Sequence, residues 1–142
     1  RAIELAPNDA DGHETLAEIL GWSGRPEEGI GLIRHAMRLN PHYPYPYLWT
    51  LGHAYYLTER RLEALETFGK LVERNPDLLP AHAYRAVLLD ELGRTREARE
   101  AWDRAGHLSP DVSISTLRER LPYRSATDLE RFLAGARRLG MQ

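Results

Sequence analysis

The sequence contains no cysteine. That removes disulfides, thiolate metal sites and cysteine nucleophiles together, and it is compatible with a cytoplasmic protein. Long apolar runs are also missing. Hydrophobic residues make up 42% of the 142 positions but never gather into a stretch that could cross a bilayer, so no membrane span is expected. No basic-then-apolar start reads as a signal peptide. Charge of one sign is absent too. Nineteen basic residues face 21 acidic ones, and the basic residues sit beside acidic neighbours in "RPEE", "TERRLE" and "RTREARE". This is the pattern of solvated helix faces rather than the basic stripe of a nucleic-acid binder.

Recognisable chemistry is scarce as well. The six histidines, His13, His35, His42, His53, His82 and His107, do not form the HExxH pair of a zinc protease. No glycine-rich phosphate loop is present, and Ser23 in "GWSG" lacks the preceding strand of a nucleophile elbow. The expectation is a protein that is not an enzyme, with no cofactor and no metal.

What the chain does have is a repeat. Helix-like runs end in Asn-Pro, Ser-Pro or Ala-Pro at Pro7, Pro41, Pro76 and Pro110, with spacings of 34, 35 and 34 residues. Small and large residues recur in phase with it. The small positions are Ala17, Gly52 and Ala86, then Gly29, Ala64 and Ala98. The large ones are Leu20, Tyr55 and Leu89, then Ile33, Phe68 and Trp102, followed by Ala36, Leu71 and Ala105. Period and alternation identify a resemblance to the tetratricopeptide family, in which each repeat is a pair of antiparallel helices and the pairs stack into a solenoid.

The expected fold is therefore all-α, a tetratricopeptide solenoid with a C-terminal helical cap. The array would span 1–110, comprising the end of one repeat and three full repeats near 10–43, 45–78 and 79–112. Helices are predicted near 10–22, 26–39, 46–57, 61–74, 80–92 and 96–107. Gly24 and Gly93 are expected to end the first helix of their pairs in the left-handed conformation, with Glu59 standing where the middle repeat lacks such a glycine. The segment "NPHYPYPYLW" falls on a turn between repeats. Its extra residue is most simply Pro44, and Pro46 enters the first turn of the next helix. The opening "RAIELAPND", without an initiator methionine, reads as the tail of a helix in a fragment of a longer protein.

Residues 111–142 leave the period and are expected to be capping helices, with docking in the groove or dimerisation as the alternatives. Ser113 is a candidate N-cap, Pro122 a stop, and Thr127 with Glu130 a capping box for a helix carrying Leu129, Phe132, Leu133, Ala136 and Leu139 on one face.

In tetratricopeptide arrays the fifth, ninth and twelfth positions face the concave groove. By resemblance, Glu14, Glu18, Trp22, Trp49, His53, Tyr56, Tyr84 and Val87 form a candidate partner-binding groove, aromatic in the middle and acidic at one end. The lysines and asparagines of the family's carboxylate clamp are absent, so a basic or aromatic protein segment suits this groove better than a C-terminal carboxylate. Self-association is the alternative. The segments "PHYPYPYLWTLGHAYYLTERRLEALETF" and "NPDLLPAHAYRAVLLDELGRTREAREAW", with the ending "LRERLPYRSATDLERFLAGARRLGM", also resemble the C-terminal repeat region of bacterial proteins with a class III adenylate or guanylate cyclase domain. That resemblance implies an interaction scaffold in a larger signalling protein. It brings no catalytic residue into this chain.

Overall fold

The computed structural model describes residues 9–142; the expected helix tail before Asn8 lies outside them. Eight helices fill the described residues: α1 (Ala10–Trp22), α2 (Pro26–Leu39), α3 (Pro46–Leu57), α4 (Arg61–Arg74), α5 (Leu79–Glu91), α6 (Thr95–Leu108), α7 (Ile114–Arg120) and α8 (Ala126–Arg138). The first six pack as three hairpins, α1 with α2, α3 with α4 and α5 with α6, each stacked on the next. Helices α1, α3 and α5 also touch in sequence and form the inner wall of the solenoid.

The small residues are what let the pairs close. A methyl group on Gly29 would stand 3.0 Å from the Ala17 carbonyl oxygen, so the two small positions of the first repeat lie backbone against backbone. At Gly52 the same methyl would meet the Phe68 ring at 2.8 Å. Ile33, Phe68, Leu71, Leu89 and Ala105 are buried behind these crossings, as the alternation requires, while Trp102 is only half-buried.

Each hairpin turns through one left-handed residue. Gly24 and Gly93 have φ of 85° and 78°, and Glu59 takes the same role at 61°. The middle turn thus keeps the geometry of its neighbours without their glycine. A side chain there costs about 1–2 kcal/mol.

The proline-rich segment is a connector, as its position in the period implies. Pro46 occupies the first turn of α3, and the residue before it has no side-chain cap to offer. Tyr47 and Leu48 turn into the core, while Tyr43 stacks on Tyr47 and Arg74 lies over the Tyr43 ring.

Ser113 caps α7 by accepting from the Thr116 amide, and α7 ends at Leu121, held extended before Pro122. The capping box expected at Thr127 and Glu130 is not formed. Ser125 is the N-cap of α8 and accepts from the Asp128 amide. The helix starts two residues earlier because the Arg124 amide donates to the Trp22 carbonyl and turns the chain there.

Glu59→Gly should raise stability by about 0.5–1 kcal/mol, the left-handed penalty less the entropy glycine loses on folding. Gly52→Ala should lower it by about 1–3 kcal/mol through overpacking against Phe68. Denaturant midpoints at constant slope measure both.

Candidate functional site

The inner wall carries the aromatic residues that the repeat places there, but they do not face open water. Tyr123, from the link between α7 and α8, inserts among them. Its ring meets Trp22 edge-on at 4.6 Å, and its hydroxyl lies 2.7 Å from His53 Nε2 and 2.6 Å from Tyr84 Oη. One side chain thereby joins α1, α3 and α5.

Helix α8 continues along the same wall. Phe132 stacks on Tyr84 with ring centres 4.3 Å apart. Gly135 lies over Val87 so closely that a methyl on it would fall 2.7 Å from Val87 Cγ1. Arg138 reaches Asp90 at 2.6 Å. Arg131 makes the most polar contacts of the helix. Its Nε and Nη2 donate to the two Glu91 carboxylate oxygens at 2.9 and 2.7 Å, and its Nη1 donates to the Tyr56 carbonyl at 2.6 Å. The same guanidinium sits 3.9 Å from the centre of the Tyr56 ring, within cation–π range. Arg61 Nε gives Glu91 a further bond at 3.0 Å.

These contacts revise the sequence reading of the groove. His53, Tyr56, Tyr84 and Val87 are buried beneath the C-terminal segment rather than presented to solvent. Trp22 and Trp49 are partly covered at the rim; Trp49 stacks on His53, with ring centres 4.9 Å apart. Glu14 and Glu18 remain at the more open end, where Thr50 Oγ1 donates to Glu14 at 2.6 Å and Tyr47 donates to Asp11. Of the alternatives for the C-terminal helices, α8 takes the groove, lying against α5. Only α7 and the last residues lean toward the end of the array. Leu117, Leu121 and Met141 there bound a cavity of about 580 Å³ against Leu79, Ala83 and Trp102.

The sequence reading missed Arg131, Tyr123 and Glu91. A signal for Tyr123 existed in the Leu-Pro-Tyr turn of the ending. For Arg131 and Glu91 none did, because both sit within ordinary helix-face charge patterns.

Burial sets the protonation states. His53, enclosed by rings and near the Arg131 charge, is pushed down to about 3, the loss of water being the larger cause. Burial alone would raise Glu91, but hydrogen bonds and charge from Arg131 and Arg61 outweigh it and hold the carboxylate below its usual range. Glu14 moves up, chiefly by desolvation, with Glu18 and Asp11 adding repulsion. Tyr56 is an anomaly. Its hydroxyl is buried and, among the described residues, meets no hydrogen-bond partner. Such a group costs about 1–3 kcal/mol.

No family model and no curated protein matches the sequence. The fold does have solved counterparts. The first tetratricopeptide domain of human RPAP3 superposes with a TM-score of 0.67 at 16% identity, covering 94% of this chain and 97% of that one. MamA gives 0.70 at 16% identity, over 94% of this chain and 77% of its own. The type III secretion translocator chaperone SycD of Yersinia enterocolitica, in an alternative dimer, gives 0.68 at 17% identity over 98% and 100%. The fold is that of a tetratricopeptide solenoid.

Between pH 6.5 and about 3 the exposed imidazole of an opened chain binds a proton that buried His53 refuses. Stability is therefore full above 6.5 and falls as the pH drops through that window. Loss of the lowered Glu91 carboxylate adds to the fall in stronger acid. His53→Gln should flatten the slope between pH 7 and 4.5 in chemical denaturation. Tyr56→Phe should be neutral or stabilising, by up to about 1 kcal/mol, whereas Tyr123→Phe should cost about 1–3 kcal/mol by stranding His53 and Tyr84. Thermal melts of the two variants provide the comparison.

Proposed function

We propose that the chain is a non-enzymatic protein-interaction scaffold whose concave groove takes a helical segment of a partner. The observation that carries this reading is α8 itself. The groove holds a helix against α5 through ring stacking, a close glycine contact and paired charges, which are the means by which a partner helix would be held. Glu14, Glu18, Trp22 and Trp49 extend this surface at its more open end. The resemblance of the ending to cyclase-associated repeat regions is the ground for proposing a place in a larger bacterial signalling protein of the cytoplasm. No helix of the described residues is long and apolar enough to cross a membrane.

A second reading, a module that packs on an attached domain or a second copy, is favoured by Ile19 and Leu39. Both are more than a third exposed on the first hairpin.

The groove reading can be tested by locking α8. The Cβ that a residue at 135 would carry lies 3.4 Å from Val87 Cβ, close to the spacing a disulfide spans. With no native cysteine, Val87→Cys with Gly135→Cys gives a single defined bridge. A partner using the groove should be captured by the reduced protein and lost on oxidation. Capture that is equal in both states would place the partner on another face and favour the second reading.

A further inference from the structure

We infer that the groove contains a receptor for arginine, formed by the Glu91 carboxylate with the carbonyl and ring of Tyr56, and that the partner is a helix carrying an arginine followed by an aromatic residue, displacing Arg131 and Phe132 of α8. This deepens the groove reading above and rests on it.

The receptor is built, not incidental. Glu91 is held in place by Arg61 and offers both oxygens in a plane, which a planar guanidinium matches and an ammonium does not. The Tyr56 carbonyl, in the last turn of α3, accepts from the Glu59 amide at 3.2 Å and has a second lone pair for a guanidinium N–H, which Arg131 fills. Neither Glu91 nor Tyr56 is required by the repeat's packing alternation. Beyond the packing of Tyr56 on His53 and Tyr84 and the pairing of Glu91 with Arg61, the two residues meet in the enclosure of Arg131.

The neighbouring contacts extend the arginine into a pattern. One residue on, Phe132 stacks on Tyr84. Four residues on, Gly135 is forced to be small by Val87. Seven residues on, Arg138 meets Asp90. A fitting helix therefore reads arginine, aromatic, a large apolar residue, a free position, a small residue, a second small apolar residue, a free position and a basic residue, since Leu133 and Ala136 are also buried. The chain's own α8 fits with one defect, for it leaves the buried Tyr56 hydroxyl without a partner. A foreign helix that brings a polar atom to that hydroxyl has an advantage α8 lacks. The acidic end at Glu14 and Glu18 and the acidic pair Asp90 and Glu91 give the groove the charge that such a basic segment seeks.

The test uses the full chain and two labelled peptides. One copies residues 121–142; the other is an unrelated helix keeping only the six patterned residues, those matching 131, 132, 133, 135, 136 and 138. Binding is read by fluorescence anisotropy, and far-UV circular dichroism verifies folding. With α8 weakened by Arg131→Ala and Phe132→Ala, both peptides should bind at least ~10-fold more tightly than to the unaltered chain, since the internal competitor is lost. Arg131→Lys alone, which keeps the charge, serves should the double variant unfold, and should give a smaller gain in the same direction. Lysine in place of the peptide's arginine, or Glu91→Gln in the chain, should each weaken binding ~10-fold or more, because the paired geometry is lost. Equal binding of arginine and lysine peptides, or indifference to Glu91→Gln, overturns the arginine receptor. If Tyr84→Ala still abolishes that binding, the groove reading survives; if it does not, both fail. Failure of the patterned helix to bind overturns the proposed pattern. Dimers of the weakened chain, seen by sedimentation, in place of peptide binding would assign the receptor to the α8 of a second copy and overturn the foreign partner.

Discussion

A wall of aromatic side chains on α1, α3 and α5 has to be kept from water, and the rest of the molecule is arranged around that constraint. Trp22, Trp49, His53, Tyr56 and Tyr84 lie within ring-to-ring distance of one another along the inner face. Left bare, such a face would be the kind of extended apolar patch that monomeric proteins seldom expose. Tyr123, Phe132, Leu133 and Ala136 cover it, all of them supplied by the chain itself. The solenoid gives the wall its shape, but the C-terminal segment gives it a dry environment. His53 can then stay neutral, and Glu91 and Arg131 can recognise each other without competition from bulk solvent.

Within that environment the polar contacts decide orientation rather than bulk stability. A partly buried ion pair gains from a low dielectric and loses from desolvation, and the two largely cancel. What remains is geometry. The bidentate bond to Glu91, the bond to the Tyr56 carbonyl and the close fit of Gly135 on Val87 together fix the helix in one register. A helix slid by one residue would point a different side chain at each of these positions.

Much of the array could be read from residue order because its rules are local. Pro26 and Pro46 mark helix starts, Gly24 and Gly93 mark turns, and the pairing of Gly29 with Ala17 follows from a fixed spacing within one repeat. Glu59 shows the limit of that approach. Tertiary packing of the hairpin imposes the left-handed turn on a residue whose own preference is against it. The candidate groove was legible in its residues but not in its state. The positions of Trp49, His53, Tyr56 and Tyr84 follow from the repeat, while their burial depends on where the last helix goes. That is settled by contacts such as Arg131 to the Tyr56 carbonyl, 75 residues apart, for which no spacing rule exists. An arginine on an amphipathic helix looks alike whether it meets solvent or a carboxylate.

The hairpins close between neighbours in the chain, so each can form as soon as its two helices have been made. Helix α8 cannot follow that schedule, because its sites on α3 and α5 are finished well before it exists. During synthesis from the N-terminus the aromatic wall therefore stands complete before α8 has been made, and closes only when that helix arrives. The groove is open to other molecules first and to its own helix second, an order of access set by the direction of translation rather than by affinity.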